Sequence, residues 1–104
     1  MAKTKRPSGL IPVLLTTDKD KRGVFFGYIE EKTAHKDDLV VYDAQMAIYW
    51  SSDVKGVLGL AATGPTKSCR ISKPVPKALI KGVVFVGTVT DDAERAWRKQ
   101  PWSE

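Results

Sequence analysis

Short apolar blocks separated by polar turns run along this chain, and between residues 10 and 50 the blocks have the composition of strands. Residues 11–17 and 24–31 are rich in β-branched and aromatic side chains, and the stretch Asp18-Lys19-Asp20-Lys21-Arg22-Gly23 between them is turn chemistry. Together they predict a hairpin. In its second strand Val24, Phe26 and Tyr28 project to one face and Phe25, Gly27 and Ile29 to the other. Apolar content on both faces predicts a central strand. After the polar stretch 32–38, residues 39–43 and 45–50 are strand-like again, and a curved antiparallel sheet is the economical way to join them.

The period changes after residue 50. Ser51, Ser52 and Asp53 can each cap a helix, and Val54, Val57, Leu58 and Ala61 recur at helical spacing until Gly64-Pro65. This predicts a short helix near 53–63. Gly56 and Gly59 each cost about 1 kcal/mol relative to Ala in a helix, so a strand over 57–62 is the alternative. Residues 69–72 suit a short strand, Pro74 and Pro76 demand extended or turning backbone, and 79–89, the most apolar run, predicts a core strand interrupted by Gly82. Asp91 followed by Glu94 resembles a capping box, and Ala93, Ala96 and Trp97 form the apolar stripe of a final helix near 91–99 that packs Trp97 on the sheet. The fold class is therefore α+β: a small curved antiparallel sheet with one short helix and a C-terminal helix.

Length and charge narrow the picture. The 104 residues suit one domain; residues 1–9, basic and containing Pro7 and Gly9, read as a flexible arm, and 10–104 as a single globular domain. Seventeen Lys and Arg against twelve Asp and Glu leave a net charge of +5, which favours phosphate-bearing partners. A single cysteine, Cys69, allows no internal disulfide and points to a reducing compartment, the cytoplasm. Apolar runs are too short for a membrane span or a signal segment.

Catalytic chemistry finds little support. The stretch 59–67 looks like a phosphate loop, but Pro65 stands where that motif needs Lys. The one histidine, His35, falls in a polar turn away from any nucleophile, and no cluster of metal ligands exists. The pairs Asp37-Asp38 and Asp91-Asp92 are explained by solubility and by a helix dipole. No catalytic residue, metal or cofactor is expected. What remains is Tyr49-Trp50 ahead of Ser51 and Ser52, where aromatic rings precede a predicted helix start, with Lys55, Lys67 and Arg70 as nearby cations. Rings that stack on a base beside N–H groups and cations that hold phosphate would suit a nucleotide; the plainer reading makes Tyr49 and Trp50 core and surface aromatics at a strand end. Lys19, Lys21 and Arg22 at the hairpin tip are phosphate or nucleic-acid contacts, or simply a solvated turn. Trp97 and Trp102 read as packing anchors, although a tail carrying Trp102 could also dock on a second subunit.

The residues Tyr49-Trp50, Gly59-Leu60-Ala61-Ala62-Thr63-Gly64, Cys69-Arg70-Ile71, Ala96-Trp97 and Pro101-Trp102 resemble an uncharacterised domain family of phages and prophages, over about residues 22–102. The resemblance implies a phage setting inside a bacterial host cell and no catalytic residues. In that setting the expected function is a non-enzymatic, homo-oligomeric sponge that sequesters a nucleotide-derived immune signal. The alternatives are a single-stranded nucleic-acid binder and an inhibitor of a host protein.

Overall fold

The structure, a computed structural model of the chain, describes residues 9–17, 23–50, 56–66 and 69–100. Six strands and two helices follow in the order β1 (Leu10–Thr17), β2 (Val24–Glu30), β3 (Leu39–Tyr49), α1 (Gly56–Ala62), β4 (Arg70–Ile71), β5 (Val75–Ile80), β6 (Val83–Thr88) and α2 (Asp91–Lys99). All strand pairs are antiparallel. The first two form the expected hairpin, closed by reciprocal backbone and side-chain bonds between Thr17 and Gly23: Thr17 N–H donates to the Gly23 carbonyl at 3.0 Å and Gly23 N–H to Thr17 Oγ1 at 2.7 Å.

The sheet runs β4-β3-β2-β1-β6, with β5 joining β4 along the outer side of β3. Strand β2 is central, as its two apolar faces require. The predicted segments 39–43 and 45–50 are one long strand, bent rather than broken. Between the pairs Tyr28↔Tyr42 and Phe26↔Gln45 the register shifts by one residue, and Asp43 there takes a positive φ of 52°. This is a β-bulge, which turns the strand and re-aims its side chains. Gly27 lies opposite it, and a Cβ at that position would stand 2.3 Å from Val41 Cγ1. Between Ala44, paired with Val75, and Ala47, paired with Ile71, β3 hands its outer edge from β5 to β4, and a second register shift follows between Ala47 and Tyr49.

Strands β5 and β6 correct the expectation of one core strand over 79–89. They are consecutive in sequence but occupy different edges of the sheet, β5 against β3 and β6 against β1. Only Lys81 and Gly82 join them, a link that spans at most about 11 Å, so the sheet must curl until its edges approach. The corner is fastened by Val83 N–H to the Asp37 carbonyl at 2.7 Å and Gly82 N–H to Asp38 Oδ1 at 3.3 Å. An apolar run around a corner cannot bury every residue, and Leu79 and Val84 are exposed by 60% and 66%.

Curling divides the apolar side chains into two cores. Val13, Leu15, Ile29, Leu39, Val41, Ala44, Ile80 and Val83 fill the inside of the curl. On the other face Leu14, Phe26, Tyr28, Ile71, Leu60, Ala93 and Trp97 pack the helices onto the sheet. Trp97 is fully buried, stacks on Phe26 with ring centroids 5.0 Å apart, and donates Nε1–H to the Leu60 carbonyl at 3.2 Å. Helix α1 stops at Gly64, whose φ of 83° is left-handed and whose missing side chain admits α2: a Cβ would stand 2.7 Å from Ala96 Cβ. The N-cap of α2 is Thr90, whose Oγ1 accepts from Ala93 N–H at 3.0 Å. The pair Asp91 and Glu94 therefore forms no capping box, and Glu94 accepts instead from the Tyr28 hydroxyl.

Candidate functional site

Two pairs of tyrosine and arginine differ in burial. The first closes the β3–β4 corner. Tyr49 is the last residue of β3 and lies directly across from Arg70, the first residue of β4. Directly opposed residues of an antiparallel pair hold their Cβ atoms about 5 Å apart, on the same face. Tyr49 is 52% exposed and Arg70 is exposed, with exposed Met46 and Ile48 preceding Tyr49 on the strand. Hydrogen bonds fasten the corner beneath them. Ser72 N–H donates to the Met46 carbonyl at 3.0 Å, Met46 N–H donates to Ser72 Oγ at 2.8 Å, and Gln100 Nε2 donates to the carbonyls of Thr66 and Cys69 at 2.9 and 3.0 Å. Arg70 also makes a further interaction of its own, so an incoming anion would share or replace it.

The second pair joins the sheet to α2. Tyr28 is fully buried; its hydroxyl donates to Glu94 Oε2 at 2.6 Å and accepts from Arg98 Nη1 at 2.9 Å. The Arg98 guanidinium also lies 5.4 Å from the Tyr28 ring centroid and 3.7 Å from Asp43 Oδ2, the carboxylate that the bulge presents. Burial, and after it the bond to and charge of Glu94, push the Tyr28 hydroxyl well above the ordinary tyrosine pKa, while Arg98 pulls the other way. Perturbed groups of this kind occur at functional sites and in structural networks alike. Here no buried side-chain nitrogen or oxygen among the described residues lacks a partner. The network ties Tyr28 and Asp43 of the sheet to Glu94 and Arg98 of α2, and so holds the helix in place.

Of the residues singled out from the sequence, the structure brings Tyr49 and Arg70 together. It turns Trp50 inward, half-buried against the helix-side core. Ser51, Ser52, Lys55, Lys67 and the hairpin-tip cations Lys19, Lys21 and Arg22 lie outside the described residues, as do the N-terminal arm and Trp102. So does the predicted helix start at Ser51–Asp53, and α1 within the described residues begins at Gly56. His35 is exposed in the turn before β3, and Cys69 is buried with Sγ 3.6 Å from Thr66 Oγ1. A shallow depression of about 550 Å³ includes Gly9, Glu30, Glu31 and Lys32 in its wall. Two carboxylates there are unsuited to an anion.

Reasoning from sequence missed the network of Tyr28, Asp43, Glu94 and Arg98. Its one legible signal is the spacing of Glu94 and Arg98, four apart on a helix and hence on one face.

A family described as a domain of unknown function, DUF6948, matches residues 10–97. The chain belongs to this family. The matched span of the DUF6948 domain begins with β1 and ends at Trp97, so it includes the Tyr49–Arg70 corner, Tyr28 and Glu94, while Arg98 falls just beyond it. No curated protein and no solved structure matches the chain. Among the described residues, the domain holds no group of three or more His, Cys, Asp or Glu side chains able to bind a metal, and no helix long and apolar enough to cross a membrane.

Proposed function

We propose that this DUF6948 domain is a non-enzymatic binding protein for an anionic, nucleotide-derived ligand, held at the Tyr49–Arg70 corner and released unaltered. The observation that carries the reading is the direct cross-strand pairing of a half-exposed tyrosine with an exposed arginine. A tyrosine ring stacks on any nucleobase, and a guanidinium grips phosphate through paired hydrogen bonds. Placed about 5 Å apart at their Cβ atoms, the two can serve the base and the phosphate of one nucleotide. Within this reading the protein acts in the cytoplasm of a bacterial host as a phage accessory factor that sequesters a nucleotide immune signal.

A second reading shares the corner. Met46 and Ile48 lie exposed beside Tyr49, and an exposed aromatic with apolar neighbours on a strand end also suits single-stranded nucleic acid. Salt separates the two, because neutralising many phosphates makes affinity fall steeply with ionic strength.

Thermal unfolding against cyclic dinucleotides, ADP-ribose species and short single-stranded oligonucleotides, at low and high salt, tests the proposal. A salt-tolerant rise in melting temperature with one small nucleotide, recovered intact by chromatography, is expected. Arg70→Ala should weaken that binding by about 1.5–3 kcal/mol and Tyr49→Ala by about 1–3 kcal/mol. A salt-sensitive rise with oligonucleotides alone replaces the first reading with the second. Altered ligand, or no rise with any probe, overturns both and directs the search to host proteins.

A further inference from the structure

The positive surplus of this chain comes from one stretch of sequence. Residues 54–90 hold six Lys and Arg and no Asp or Glu, whereas the rest of the chain holds eleven against twelve. The fold sets the described cations of that stretch in a row. Strands β4 and β5 lie end to end along the outer side of β3. Arg70, Lys73, Lys77 and Lys81 follow one another along this flank, and all four are exposed. The three lysines recur every four residues, about 13 Å apart in extended chain. Within β5, alternation puts Lys77 and Leu79 on one face, with Tyr42 and Val40 of β3 directly opposite them. Lys77 Nζ lies 6.0 Å from the Tyr42 ring centroid, and Leu79 and Val40 are exposed together. At the far end Asp37 and Asp38 bond the link to β6 and close the row.

We infer that this flank is a track for the phosphate backbone of a single-stranded nucleic acid. The occupant follows from the sign and the shape of the charge. A second copy carries the same row and is repelled. A lipid surface engages a broad basic face, but β3 beside the row has no Lys or Arg over its 11 residues, so the charge is a line and not a field. The three lysines alone cover about 26 Å, more than one nucleotide spans, and a line of single charges is matched by a chain that carries a charge at every unit. A flexible single strand can follow the twisted flank of a sheet, and Leu79 and Val40 offer apolar surface to the faces of its bases. Arg70 and Lys73 each make a further interaction, which a phosphate would share or replace. Lys77 and Lys81 are therefore the residues to substitute. The track is independent of the corner reading, because both lysines lie beyond Tyr49 and Arg70 on the flank.

Fluorescence anisotropy of a labelled single-stranded oligothymidylate, titrated with the full chain at about 50 and about 200 mM salt, measures the binding and its salt dependence. Four phosphate contacts predict an affinity that falls about 50-fold between the two salts, and K77Q/K81Q, which removes two of them, should cut that fall to about sevenfold. The control K32Q/R95Q takes the same charge from two exposed cations that stand beside carboxylates, Glu31 and Asp92, and should keep the parent's fall. All four positions are exposed, so both variants are expected to keep the parent's circular dichroism spectrum. Small-nucleotide binding at the Tyr49–Arg70 corner should be alike in the parent and K77Q/K81Q, so the corner and the track can fail separately. No binding of oligothymidylate, an equal loss in the two double variants, or a preference for phosphatidylserine vesicles or polyglutamate over the oligonucleotide overturns the proposal.

Discussion

Tyr28 with Arg98, and Tyr49 with Arg70, are the same two residue types paired twice, once between the sheet and α2 and once at an open corner of the sheet. In the buried pair the phenol bridges Glu94 and Arg98, and Arg98 reaches on to Asp43. In the open pair Tyr49 and Arg70 are both exposed residues, and Arg70 keeps an interaction of its own that a ligand, on the proposed reading, would share or replace. Burial thus decides whether a tyrosine and an arginine stabilise a fold or remain available for recognition, because a desolvated polar group must spend its bonds internally.

The strongest way to break this comparison is to remove the packing that makes the first pair buried. Trp97→Ala deletes the ring stacked on Phe26 and orphans the Leu60 carbonyl, and should cost about 3–5 kcal/mol in denaturant unfolding. Gly64→Ala forces a side chain into left-handed backbone and against Ala96, for an expected loss of about 2–3 kcal/mol in the same measurement.

Tyr28→Phe sharpens the comparison more finely. It leaves the ring and removes the oxygen shared by Glu94 and Arg98, and should cost about 1–3 kcal/mol. It should also change the response to alkali. Because the folded protein holds the Tyr28 proton more tightly than the unfolded chain does, its contribution is fully present below the ordinary tyrosine value of about 10 and is lost as pH climbs from there towards the higher folded value. The parent is therefore expected to lose stability above about pH 10 more steeply than Tyr28→Phe. Equal slopes would mean that the phenol is not insulated by burial. At the small end, Tyr49→Phe and Arg70→Ala should each move stability by less than about 0.5 kcal/mol, as exposed substitutions do.

Much of the buried region was legible in the sequence, for reasons that concern short-range chemistry. The hairpin follows from β-branched runs around a polar turn, the central place of β2 from its two apolar faces, and the packing of Trp97 from its stripe with Ala93 and Ala96. The errors share a different cause. Apolar periodicity reports that a side chain wants burial but not which edge its strand will occupy, so the run 79–89 looked like one core strand although it turns a corner at Gly82. The break after Asp43 looked like a strand end because a bulge and a turn both interrupt alternation. Glu94 looked like a cap because Asp91 precedes it by three, whereas Thr90 supplies the cap and Glu94 meets a tyrosine 66 positions earlier in the chain. Such a long-range polar contact leaves no periodic trace. In the candidate site, the aromatic and basic residue types pointed to Tyr49 and Arg70, but their direct opposition depends on the register of β4, which no local pattern encodes.

The most direct test of the division between the two pairs is to measure stability and ligand affinity side by side for Arg70→Ala and Tyr28→Phe, by denaturant unfolding and by calorimetric titration with whichever cyclic dinucleotide or ADP-ribose species stabilises the parent. Arg70→Ala should lose about tenfold or more in affinity with stability intact, and Tyr28→Phe should lose stability with affinity intact. An Arg70→Ala protein that binds as tightly as the parent, or a Tyr28→Phe protein that loses binding while keeping its stability, would contradict the account.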